Sequence, residues 1–220
     1  MRAVLFDALG TLVRLEPPAP MLREELASRF GVSVSEEASE DAIVAEISYY
    51  RAHLDEGRDE ASLTALRREC ASVLREALPA LLGIELDQVA EALLAALRFS
   101  AFEDAAPCLT ALHERRSRVV VVSNWDISLG DVLGRVGLAS LLDGVVTSAS
   151  VGARKPAVEM FTAALSLAGV CADQALHVGD SLEEDVEGAL SAGIEPVLLL
   201  REGGLAPAGV RTIESLTALL

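Results

Sequence analysis

The sequence predicts an α/β fold, a parallel sheet with helices on both faces and an α-helical bundle inserted after its first strand. Three observations predict it. The apolar run Val4-Leu5-Phe6 stops at the carboxylate of Asp7 and is followed by Gly10 and Thr11, so it reads as a buried strand ending in a tight turn. A long stretch follows whose apolar residues recur at helical spacing. From Phe102 onward, β-branched runs alternate with helical segments, the pattern of parallel strands joined by crossovers.

Taken in order, Glu16-Pro17-Pro18-Ala19-Pro20 is expected to be a linker, because its prolines oppose a continuing helix. Leu22, Leu26 and Phe30 mark a first helix. Ile43, Val44, Ile47, Tyr50 and Leu54 mark a second. Leu63, Leu66, Cys70, Val73, Leu74 and Ala77 mark a third, stopped by Pro79, and Val89, Leu93, Leu94 and Leu97 mark a fourth. Each has one apolar face to bury, which makes a small bundle. Strands are expected at 118–122, 144–147, 175–178 and 196–200, and helices at about 105–116, 128–136, 157–168 and 182–191. The opening strand belongs to the same sheet by its character. The expected organisation is therefore a discontinuous, Rossmann-like core of residues 1–13 and 100–220, with a helical domain inserted at 14–99.

Composition narrows the function. The 220 residues hold 18 Lys and Arg against 34 Asp and Glu, a net charge of −16. Such a chain is a poor holder of nucleic acid and is repelled by anionic membranes. An anionic substrate would need a local cation or metal to reverse the field. Cys70, Cys108 and Cys171 form no CxxC pair, so they are expected to be small core residues in a reducing compartment. Asp7 interrupts the one apolar run near the start, so no signal peptide is expected, and no segment approaches the ~18 apolar residues of a membrane span. The expected setting is cytoplasmic.

The strand ends carry polar residues where open α/β sheets hold ligands. Asp7 is either a nucleophile or metal ligand, or a turn residue. Ser123-Asn124 before a helix is either an anion cradle or a cap. Lys155 precedes Pro156, which is expected in the first turn of a helix. In Gly179-Asp180-Ser181-Leu182-Glu183-Glu184-Asp185, Ser181 and Glu184 have capping-box spacing, which leaves Asp180 and Asp185 free. Asp180 opposite Asp7 would make an oxygen site suited to Mg²⁺.

These stretches together resemble the haloacid dehalogenase-like (HAD) superfamily hydrolases with a helical cap inserted after the first strand. The signature motifs occur in order: Phe6-Asp7-Ala8-Leu9-Gly10-Thr11, Ser123-Asn124, Lys155-Pro156, and Gly179-Asp180 with Asp185. The resemblance implies that Asp7 is the covalent nucleophile. It implies that Thr11, Ser123, Asn124 and Lys155 contact the transferred group. Asp7, the carbonyl of Leu9 and Asp180 would hold Mg²⁺, supported by Asp185. The implied substrate is a small phosphomonoester, and Arg51 of the cap is expected to meet its anionic part.

One position departs from the family's phosphatases, which usually carry a second Asp two residues after the nucleophile. Here it is Leu9. Losing such a general acid–base typically costs about 10²–10⁴-fold in rate. The superfamily's haloacid dehalogenases also lack this Asp. The alternatives are thus a metal-independent hydrolase of 2-haloacids, or an impaired member that binds a phosphorylated ligand or a partner. His177 is expected to be a hydrogen-bonded core residue and His113 part of a solvated cluster, while Trp125 either walls the pocket or packs in the core. A monomer and a homodimer are both compatible with the sequence.

Overall fold

In the computed structural model, which describes residues 2–204 and 208–220, the opening apolar run forms β1 (Ala3–Phe6). β2 (Val13–Leu15) leads into α1 (Pro18–Phe30), α2 (Glu36–His53), α3 (Glu60–Ala77) and α4 (Leu86–Ala96). β3 (Phe99–Ala101) pairs with β2. The chain continues through α5 (Ala105–Glu114), β4 (Arg118–Ser123), α6 (Leu129–Arg135), β5 (Gly144–Thr147), α7 (Ser148–Val151) and α8 (Val158–Ala168). Then come β6 (Ala175–Gly179), a π-helical segment at Leu182–Glu187, α9 (Gly188–Ser191), β7 (Glu195–Leu199) and β8 (Arg211–Ile213). The chain divides into two compact units, Met1–Arg14 with Ser100–Leu220, and Leu15–Phe99.

The described strands of the first unit form a six-stranded sheet in the order β5-β4-β1-β6-β7-β8. Its pairings are parallel, with Phe6 level with Val121 on one side and Val178 on the other. β1 and the valines of β4 are wholly buried, so these strands are unbroken apolar runs rather than alternating ones. Leu5, Val120 and Val122 share a cluster with Met160, Phe161 and Ala164 of α8. From β1 the strand order departs to β4 and β5 on one side and to β6, β7 and β8 on the other. The crevice at the carboxyl ends beside such a reversal is where open sheets place ligands.

In the second unit each helix buries one stripe. Leu22, Leu26, Leu66, Leu74, Leu81 and Leu93 belong to its cluster. α1 ends at Gly31 in the left-handed conformation; the Gly31 N–H donates to the Ala27 carbonyl and the Val32 N–H to that of Leu26. α3 opens with a reciprocal capping box between Asp59 and Ser62.

Several local expectations are corrected. α1 begins inside the expected linker, at Pro18. Pro18 and Pro20 fall in its first turn, where N–H groups have no intrahelical acceptor, so no hydrogen bond is lost. Pro156 lies ahead of α8 rather than in its first turn, because the extended Ala157 is the N-cap; the Lys155–Pro156 bond is cis. Val44 and Leu94 point outward, while Glu46 takes a place in the buried stripe of α2. Cys171 is exposed, unlike Cys70 and Cys108. β8 and α7 lie outside the expected elements, being too short for periodicity to register.

Candidate active site

Asp7 is the first residue beyond β1, and its N–H donates to the Val178 carbonyl at 2.9 Å, which fixes it at the sheet edge beside β6. Its side chain is buried, and Oδ1 accepts from Ser123 Oγ at 2.9 Å and from Lys155 Nζ at 2.6 Å. Oδ2 accepts no hydrogen bond from the described residues. Lys155 Nζ donates also to Asp185 Oδ1 at 2.6 Å. Burial works against the lysine's charge, but the attraction of Asp7 and Asp185 outweighs it and holds the ammonium above the usual lysine range. Burial raises the Asp7 pKa, with the Asp185 charge adding to it and Lys155 offsetting part.

The lysine's main chain is clamped as well. Its N–H donates to Asn124 Oδ1 at 2.7 Å and its carbonyl accepts from Asn124 Nδ2 at 3.1 Å. Asn124, expected among the substrate contacts, thus engages both polar atoms of its amide with the Lys155 backbone. Asp185 sits beneath: Oδ1 accepts from Lys155 and from His177 Nε2 at 2.8 Å, and Oδ2 accepts the Ser181 N–H at 3.0 Å. Burial opposes its charge, yet Lys155 and His177 hold its carboxyl far below the ordinary range. The expected capping box is half formed. Ser181 Oγ accepts the Glu184 N–H at 3.1 Å, but the Ser181 N–H goes to Asp185, so Asp185 is not free.

Asp180 completes the cluster. Asp7, Asp180 and Asp185 each present an oxygen within 4.8 Å of the others. The Asp180 carboxyl lies so close over Gly10 that a Cβ there would collide with it, and Gly10 has φ +81°, which also favours glycine. Desolvation first, then the charges of Asp7 and Asp185, push Asp180 up to about 7. Thr11 is buried with no hydrogen-bond partner for Oγ1 among the described residues. Leu9 is half-buried and bridges Val13 through its flanking peptides.

Arg51 lies exposed on α2 of the other unit. Trp125 is buried, and its main chain bonds the Ser148 hydroxyl on both sides. His177 is fully buried, edge-on to Phe161 at 5.0 Å, as a core histidine would be. His113 is half-buried, and its Nε2 lies 2.8 Å from the Leu141 carbonyl. Arg201, just past β7, touches the turn after Asp7 and was outside the candidate set; its place at a strand's carboxyl end was the available signal.

The geometry can be set beside known proteins. A profile of haloacid dehalogenase-like hydrolases matches residues 1–193. The "haloacid dehalogenase-like hydrolase domain-containing protein 3" of Bos taurus is 38% identical over 106 residues, 48% of this chain and 42% of that protein. A ribulose-1,5-bisphosphate 5-phosphatase of Halopiger xanaduensis is 38% identical over 96 residues, 43% of this chain and 40% of that one. The match spans less than half the length of these relatives. Over the whole chain, the crystal structure of a HAD phosphatase from Thermococcus onnurineus superposes with a TM-score of 0.68 at 25% identity, covering 100% of this chain and 96% of that one. With a buried Asp after the central strand, a lysine on it and two further aspartates around it, and with the profile match across most of its length, the chain belongs to the haloacid dehalogenase-like hydrolases.

Proposed function

We propose that the protein is a Mg²⁺-dependent phosphatase of small phosphomonoesters, working through an aspartyl phosphate on Asp7. The observation that carries this reading is the position of Asp180, whose carboxyl lies over Gly10 with an oxygen within 4.8 Å of oxygens of Asp7 and Asp185. The likeness to a sugar-bisphosphate phosphatase agrees with it. The residues fit a hard divalent cation: they offer carboxylate oxygens, and the Leu9 carbonyl accepts no hydrogen bond from the described residues. Asp7, Asp180 and the Leu9 carbonyl would hold Mg²⁺, with Asp185 supporting. The ion, when bound, would offset repulsion between the nucleophile and a phosphate dianion.

The chain's own groups do the rest. Asp7 Oδ2, which accepts no hydrogen bond from the described residues, attacks phosphorus while Ser123 and Lys155 hold the other oxygen and draw charge from the transferred group. The bond to the leaving alcohol breaks, and the alkoxide takes its proton from water, since Leu9 has none to give. A second water then cleaves the acyl phosphate and restores Asp7. Substrate selection is assigned to the helical unit, whose exposed Arg51 on α2 is the candidate contact for an anionic group. Phosphate release should require Mg²⁺ and vanish in Asp7→Asn; unchanged turnover in that variant would discard the mechanism. Leu9 favours a second reading, hydrolysis of a 2-haloacid, whose mark is halide release that survives EDTA.

A further inference from the structure

The turn from Ala8 to Val13 has almost no spare carbonyl. That of Ala8 accepts from the N–H groups of Thr11, Leu12 and Val13 at 3.3, 2.8 and 2.9 Å. That of Leu12 accepts from the Phe102 N–H at 3.0 Å and that of Val13 from the Gly10 N–H at 2.8 Å. The carbonyls of Gly10 and Thr11 are taken by one side chain. Arg201 Nε donates to Gly10 at 3.2 Å and Nη2 to Thr11 at 2.6 Å. Only the Leu9 carbonyl accepts nothing from the described residues.

Arg201 is itself held firmly. Nη1 and Nη2 donate to Asp104 Oδ2 and Oδ1 at 3.0 and 2.9 Å, a two-pronged pair. The guanidinium lies 3.8 Å from the Phe102 ring centroid. Asp104 accepts further from Ser215 Oγ at 2.8 Å and from the Leu216 N–H at 2.9 Å. Arg201 lies beyond the residues that the family profile matches. A lysine could not reproduce this arrangement, because the planar fork meets two carbonyls and a carboxylate at once.

We propose that Arg201, anchored by Asp104, is a positioning residue that holds the Ala8–Val13 turn in the form that keeps Asp7 in place and leaves the Leu9 carbonyl unpaired for a cation. What the turn serves rests on the phosphatase reading; the clasp itself does not. The arginine closes off the two carbonyls that follow Leu9, while backbone N–H groups take the Ala8 carbonyl before it, so the Leu9 carbonyl is the one oxygen of the turn left without a donor among the described residues. The same side chain joins three stretches far apart in sequence, so the turn takes its shape from the end of the chain.

The test uses the full chain, as wild type, Arg201→Lys and Asp104→Asn. Amide hydrogen exchange at Leu12 and Val13, Mg²⁺ affinity by calorimetry, the thermal midpoint, and kcat and KM for an active phosphomonoester are measured together. In folded variants, exchange at Leu12 and Val13 should accelerate by about tenfold or more while β4 keeps its protection. Mg²⁺ affinity should fall about tenfold, with kcat lowered more than KM is raised. Wild-type exchange and wild-type Mg²⁺ affinity in both folded variants would overturn the proposal. A wild-type protein that binds no Mg²⁺ would sink the phosphatase reading instead, and the exchange result would then decide the clasp alone: faster exchange upholds it, unchanged exchange refutes it.

Discussion

Leu9 stands two residues after Asp7, where the proposed phosphatase chemistry would use a group that can give and take a proton. Around it the charges are arranged for attack: Lys155 bridges Asp7 and Asp185 at 2.6 Å each, and Ser123 steadies the same Asp7 oxygen. Leu9 itself can supply neither a proton for the alcohol nor a base for the second water. Leu9 is half-buried, so a carboxylate placed there retains access to water. Leu9→Asp should therefore raise Mg²⁺-dependent phosphate release. Full acid–base assistance is worth about 10²–10⁴-fold, and a grafted group in an unadapted setting should recover at least about tenfold. A folded Leu9→Asp protein that binds Mg²⁺ with no gain in turnover would show that chemistry is not limited by the missing acid.

At the scale of elements, the join of β6 to the π-helical segment sets the site's floor. Gly179 is the last residue of β6, and a Cβ there would meet the Asp185 carboxyl. Asp185 cannot yield without releasing Lys155, His177 and the Ser181 N–H together. Gly179→Ala should lower stability by roughly 1–3 kcal/mol, the range for overpacking a filled interior, and cut turnover along with it. Denaturant midpoints and phosphate release on the same sample check this; wild-type values in both would show that the segment is plastic. The strand-end residues were legible in the sequence because each sharp boundary between apolar run and polar turn marks a carboxyl edge. The proline-rich start of α1 was not, since its prolines read as breakers until they fall in a first turn. Nor was the Arg201–Asp104 pair, whose partners are 97 residues apart and joined only by the fold.

For the molecule as a whole, acidity is carried inward as well as outward. The chain bears a net charge of −16, and one of its carboxyls, Glu46, lies buried in the helical unit's own stripe on α2. Desolvation pushes it from 4.5 up to about 7, with only a hydrogen bond from Cys70 opposing. Because its folded pKa is raised, folding binds a proton between those two values. This contribution is fully present below about 4.5 and is lost as pH rises through about 7. The loss is on the order of 3 kcal/mol. Glu46→Gln keeps the shape and removes the titration. Urea unfolding of both proteins at pH 4.5, 6 and 8 should give similar stabilities at the lowest pH and a growing advantage for the glutamine variant above it. Taking the difference between the two proteins cancels the titration of the other carboxylates, which acid neutralises in both. A difference that stays flat from pH 4.5 to 8 would mean that water reaches Glu46 in the folded unit and that its charge is solvated there.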